Sequence, residues 1–419
     1  RLCEAIARGR APRHDEGEDG TVRARRCNAS DGFTLVELLV SALITLLVSG
    51  VIFSFVAPAH QIFQSQPEQS DLQQRVRVSV ENLTRDLVMA GAGVYSGPAV
   101  GPLVYLIAPI MPYRAFGDTP DSSQAMFFRR DAISFLYVPS TPSQTTLAAA
   151  LAPGALDVQL EWSPNCPAMT ATQVCGLDNG DRIIVVDEGS QWDVFSVDQI
   201  GNGTISLGHR GAPTPTRYEV GATAAEVRLG SYYLKTDVSN RTYQLMRHDG
   251  WATDLPVVDD VVRLEFQYFG DPEPPRLTGR PLDEPLGPWT TYGPAPPPVT
   301  ETRGAWPQGE NCTFVVLNGE HVPRLSVLGT GPALVELSAP LLTDGPWCPD
   351  GLTPNRFDAD LLRIRQVRVT LRVQSALASL RGPAGPLFLK GGTARAGERY
   401  VPDLEVQIDI APRNMNLGR

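Results

Sequence analysis

Lysine is almost missing from this chain: among 419 residues only Lys235 and Lys390 occur. Arginine supplies the other cations, and Asp plus Glu outnumber Lys plus Arg by 46 to 36, giving a net charge of −10. That balance leaves no basic face of the size that nucleic-acid binding requires. Histidine is scarce, at five, and His209, His248 and His321 each stand without a nucleophile motif nearby. The chain has no GxSxG, P-loop or HExxH stretch. No catalytic residue is therefore assigned, and no enzyme activity is expected. Gly91-Ala92-Gly93-Val94-Tyr95-Ser96-Gly97 lacks the preceding strand that a dinucleotide fingerprint needs, and reads as a helix stop. CxxC pairs are also absent, which with the scattered histidines argues against structural zinc. No metal or other cofactor is expected.

Proline (37) and glycine (38) are abundant, which favours loop-rich β structure over helix bundles. Residues 1–32 are polar, without apolar periodicity, and read as a leader or upstream extension. Arg23, Arg25 and Arg26 then precede a run of 24 residues, Phe33 to Val56, with a single charge, Glu37. At about 1.5 Å per residue a helix of that length spans about 36 Å, enough for a bilayer. The arginines predict that this end stays in the cytoplasm, with everything after Val56 outside. A plain signal anchor is one reading. A cleaved secretory signal ending at Ala57-Pro58-Ala59 is another, but its apolar region would be unusually long and would contain an acid.

A third reading uses the details that a generic anchor does not need. Gly32 stands at a polar-to-apolar junction and is followed by Phe33-Thr34-Leu35-Val36-Glu37-Leu38-Leu39. GFTLVELLV resembles the N-terminal methylation motif of type IV pilins and type II secretion pseudopilins. The resemblance implies cleavage after Gly32 by prepilin peptidase, N-methylation of Phe33, and assembly through Glu37 and the apolar helix. Ionisable residues inside a membrane segment usually have a partner. Cleavage would make an amine on Phe33, and the resemblance implies that Glu37 pairs with the amine of a neighbouring subunit. The alternative is that Glu37 snorkels at the bilayer edge.

Beyond Val56, Pro58 is expected to bend or break the helix. Leu72, Val76, Val80, Leu83 and Leu87 then recur at spacings of three and four, one face of an amphipathic helix. Glu81 and Arg85 are an expected i,i+4 pair, and Gly91 an expected left-handed cap. Leu83-Thr84-Arg85-Asp86-Leu87-Val88-Met89-Ala90-Gly91 is similar to the helix end of PilW-type minor pilins. Arg365–Ser375 and Val261–Tyr268 are similar to strands of that family. J-type minor pseudopilins share the start and part of this pattern.

The segments 262–268, 367–373 and 404–410 alternate with period two and read as half-buried antiparallel strands. Asp181–Asp187 with Trp192–Val197, and Val227–Lys235 with Thr242–Arg247, read as hairpins. The expected fold class is thus α+β: a long N-terminal transmembrane-to-periplasmic helix packed against a β-rich, antiparallel head. The expected organisation is a leader (1–32), a transmembrane half-helix (33–56), its amphipathic continuation (57–92), a first part of the head (93–269), a Pro/Gly-rich exposed insertion (270–311) and a second part of the head (312–419).

Cys3 and Cys27 fall in the leader. Cys166, Cys175, Cys312 and Cys348 lie in a segment expected outside the cytoplasm, where disulfides are the default. Of three pairings, nearest neighbours are expected: Cys166 with Cys175 and Cys312 with Cys348. Asp178-Asn179-Gly180-Asp181 could ligate calcium, but a polar β-turn is the commoner use of such a sequence.

The resemblance implies a minor pilin of PilW type in the inner membrane, single-pass, with its head in the periplasm and later in an extracellular pilus. Its expected partners are prepilin peptidase, major and minor pilins, the inner-membrane assembly platform and membrane lipid. The rival readings are a J-type pseudopilin and a membrane-anchored extracytoplasmic binding module that does not polymerise.

Overall fold

The computed structural model describes residues 34–93, 108–114, 128–141, 143–161, 166–167, 173–187, 192–201, 204–209, 217–237, 242–273, 296–311, 314–323, 327–342, 359–381, 401–413 and 415. The chain divides into two compact units, Arg1–Ile62 and Phe63–Arg419. One helix, α1 (Leu35–Met89), contributes to both. It is helical throughout, including at Pro58, where a bend or local break was expected, so the helix is not broken there. Within the first unit, Leu35–Ser54 is long and apolar enough to cross a membrane, and none of its residues is buried.

Among the described residues the second unit adds seventeen strands. They are β1 (Ile110–Met111), β2 (Ala132–Tyr137), β3 (Gln144–Thr146), β4 (Asp157–Gln159), β5 (Arg182–Val186), β6 (Trp192–Gly201), β7 (Thr204–His209), β8 (Thr223–Glu226) and β9 (Arg228–Asp237). β10 (Thr242–His248), β11 (Asp254–Asp259), β12 (Val261–Gly270), β13 (Phe314–Leu317), β14 (Glu320–Pro323), β15 (Val335–Leu337), β16 (Ile364–Val373) and β17 (Leu404–Ile410) follow. All ladder pairs are antiparallel. Two sheets, β1-β2-β9-β10-β11 and β15-β12-β16-β17, share one core with α1. Leu72, Leu83 and Leu87 of the helix bury themselves among Phe135, Tyr232, Leu264, Phe266 and Val369. Each such leucine stabilises the fold by roughly 2–5 kcal/mol relative to alanine.

The helix stripe differs from expectation at one step. Val80 is only partly buried and lines an open groove of about 650 Å³ with Gln73, Arg77, Thr84 and Leu404. Ser79 takes its place at the interface, fully buried, its hydroxyl returned to Arg75 O at 2.9 Å. Arg85 donates to Asn82 Oδ1 at 2.9 Å in place of the expected Glu81 pair. At the end of α1, Gly91 and Gly93 both have positive φ, 80° and 66°. That geometry suits glycine and ends the helix as expected. Gly91 N then donates to Leu136 O at 2.9 Å, tying the stop to β2.

A third assembly stands apart from this core. Between β2 and β9 the strands run in the order β3-β8-β5-β6-β7-β4. The two ends of that order meet: Leu147 bridges Leu160, Ala148 N donates to Gln159 O, and Glu161 N donates to Thr146 O, both at 2.8 Å. The sheet therefore closes into a small barrel, filled by Leu147, Val158, Ile183, Val185, Phe195, Val197, Ile205 and Ala224. The sequence hairpins at 181–197 and 227–247 are present as β5-β6 and β9-β10. They belong to different sheets, the first to the barrel and the second to the helix-packed sheet.

Of the expected insertion at 270–311, residues 296–311 make defined turns, with Gly309 N on Glu301 O at 2.7 Å. Residues 274–295 lie outside the described residues.

Candidate functional site

Gly32 and Phe33 lie outside the described residues, as do Cys312 and Cys348. Thr34 caps α1. Glu37 N donates to Thr34 Oγ1 at 3.3 Å and Leu38 N to Thr34 O at 3.1 Å. Thr34-Leu35-Val36-Glu37 has the spacing of a capping box, a signal present in the sequence and not used above. Glu37 is exposed in the first helical turn, where the N-terminal end of the helix dipole favours a carboxylate. The acid is thus placed at the one end of the apolar helix where backbone amides lower its cost.

A second polar site lies in the other unit, at the end of α1. Asp86 is 2 % exposed. Its carboxylate accepts from Tyr232 OH at 2.8 Å and from Arg247 Nε at 3.0 Å. Strands β9 and β10 deliver these two partners side by side, since Tyr232 and Arg247 are cross-strand neighbours. Burial pushes the Tyr232 phenol up, and the Asp86 charge pushes it further. Burial works against the Arg247 guanidinium, but Asp86 beside it holds its pKa above the usual value. Neither group titrates near neutrality, so the joint is a fixed clamp of helix on sheet.

Farther down the helix, Arg75 Nη1 reaches Asp260 at 3.0 Å, in the link between the two sheets. Burial raises the Asp260 pKa, and Arg75 and Arg381 oppose that. Glu68 accepts from Ser375 Oγ at 2.6 Å and Ala376 N at 3.1 Å.

The alkaline limit follows from the tyrosines. Tyr232 and Tyr268 are buried and both have raised pKa values, Tyr268 by burial. A phenol held protonated in the fold contributes stability that is complete below its unfolded pKa of about 10 and is lost as pH rises above it. Urea melts at stepped pH should show a flat head stability to about pH 9. Above about pH 10 the slope should be on the order of −1.4 kcal/mol per pH unit for each such tyrosine. Tyr232→Phe should make that slope shallower.

The other sequence candidates resolve plainly. Cys166 and Cys175 form a disulfide with Cα atoms 4.5 Å apart. Asp178 accepts from Gln173 Nε2 at 3.2 Å, and Asp181 Oδ2 from Asp178 N at 2.8 Å, so this acidic turn closes on itself. Among the described residues no group of three or more His, Cys, Asp or Glu side chains is placed to hold a metal ion. His248 is buried, its Nδ1 accepting from Gly250 N at 2.9 Å. His321 contacts Gly309 O at 3.0 Å.

Residues 27–53 match the family described as the prokaryotic N-terminal methylation motif. The N-terminal segment is type IV pilin-like. No curated protein and no solved structure matches the chain. The type IV pilin-like segment spans the Gly32–Phe33 junction, Glu37 and most of the apolar part of α1. It has the processing context of prepilin peptidase, and its apolar helix fits a membrane-anchored protein.

Proposed function

We propose that this chain is a minor pilin of PilW type. It is cleaved after Gly32 by prepilin peptidase, methylated on Phe33, and assembled through its N-terminal helix into a type IV pilus or the complex that initiates one. The observation that supports the pilin reading is the motif match over 27–53, which overlaps a 20-residue exposed apolar helix; the PilW type rests on the sequence similarity of 83–91, 261–268 and 365–375. The head stays in the periplasm until the pilus is built. It contacts other major and minor pilins, while the apolar helix meets lipid, the assembly platform and its neighbours. Its role is structural, without catalysis.

Deleting the host's prepilin peptidase tests this. The wild-type host should yield a mature chain beginning at an N-methylated Phe33, read by intact-mass and N-terminal sequencing. The deletion host should yield only the longer precursor. An unchanged N-terminus in the two hosts would reject processing and leave a non-polymerising membrane-anchored binding module.

A further inference from the structure

We propose that residues 143–226 are a self-contained barrel module inserted into the head, with a folding equilibrium of its own that the Cys166–Cys175 disulfide sets. The inference stands whether or not the chain assembles into a filament.

Four observations carry it. The barrel closes on itself, so it borrows no strand from its neighbours. Its interior is a separate apolar cluster, sharing no residue with the core that α1 packs against. The chain enters and leaves it side by side: Tyr137 at the end of β2 pairs with Arg228 at the start of β9. A two-strand pairing with adjacent ends is where one domain can be inserted into another without disturbing it. The disulfide is also local. Both cysteines are buried in the barrel's own cluster, and Cys175 Sγ lies 3.7 Å from Gln144 O on β3.

The barrel is docked by a small patch. Ile184, Trp192 and Ala225 on its outer face meet Leu136 and Leu229 of the β2–β9 pair. Arg182 lies over the Trp251 ring, 4.7 Å from its centre. Next to this patch, Val138 N donates to Ala92 O at 2.7 Å. The module therefore sits at the C-terminal end of α1, beyond the helix stop.

The test uses full-length protein in detergent, wild type and the double variant Cys166→Ser/Cys175→Ser, compared by hydrogen exchange. A short disulfide loop contributes about 2–4 kcal/mol, so barrel amides in β3 to β8 should exchange roughly a hundredfold faster in the variant. Amides in β10, β12 and β16 should stay within about twofold of wild type. Acceleration that spreads equally into β12 and β16 would show one cooperative unit and overturn the proposal. Unchanged barrel exchange would overturn the role of the disulfide.

A second variant removes residues 139–226, joins Val138 to Val227 through Asn-Gly, and carries Leu136→Thr and Leu229→Thr on the uncovered face. Retained protection in β12 and β16 supports the module. Loss of that protection overturns it.

Discussion

Asp86→Ala is expected to destabilise the head by about 3–5 kcal/mol, the range seen when one partner of a buried ion pair is removed. The side chain is 3 % exposed, so water cannot replace it. Its removal leaves the Tyr232 hydroxyl buried without its acceptor and the Arg247 guanidinium beside an apolar wall that includes Phe135. Against a typical total of about 5–15 kcal/mol that loss is severe.

Asp86→Asn keeps an acceptor for Tyr232 and should cost less, about 1.5–3 kcal/mol, the worth of hydrogen bonds to a charged group. Removing both charges with Asp86→Leu and Arg247→Met should cost less than the sum of the single changes, because the second no longer strands the first. Urea midpoints of these variants check the set. A cost below about 1 kcal/mol for Asp86→Ala would remove the joint from the account of stability.

Glu37→Ala is the second large effect. The variant should insert and be cleaved as wild type does, because the apolar helix becomes more hydrophobic and the residues flanking Gly32 are intact. Its incorporation into filaments should fall to background. An ionisable group within an apolar membrane segment usually needs a partner, and assembly would supply Glu37 with the amine of a neighbouring subunit.

Thr34→Ala separates this role from capping. It removes the hydroxyl that receives Glu37 N and should cost the helix about 1 kcal/mol, with assembly largely retained. Immunoblots of sheared filaments beside membrane fractions give both readouts. Normal incorporation of Glu37→Ala would rule out the pairing role and leave capping and the helix dipole as its use.

Much of the helix and of the paired strands was legible because their periodicities are strong. Val367, Val369, Leu371 and Val373 are all buried on β16, as their alternation required. Legibility failed where geometry shifts the period. On β12 the register slips between Val261 and Arg263. Val261 is therefore buried and Val262, the expected inward residue, is half-buried. A bulge of one residue carries little sequence mark.

The helix face was misread at Ser79 because a serine that returns its hydroxyl to its own backbone packs as a small apolar residue. Asp86 was quoted only as part of a resemblance, since its partners are 146 and 161 residues away. Asp360 is buried and paired with Arg363 at 2.5 Å. The barrel was hidden for a related reason. Strand pairing such as β3 with β8 joins residues some 80 positions apart, and closure rests on a single bridge. The N-terminal methylation motif was legible outright because it is local.

The ties along α1 also have a mechanical meaning. Glu68 holds Ser375 and Ala376, Arg75 holds Asp260, and Asp86 holds Tyr232 and Arg247. These three fastenings are spaced along the helix rather than gathered at one end. A pull directed along the helix axis loads them together in shear, and they must yield at once rather than one by one. A pull across the axis would peel them in sequence from Glu68 upward. The head should therefore resist axial tension far better than lateral tension, a difference that force spectroscopy along the two directions would read directly.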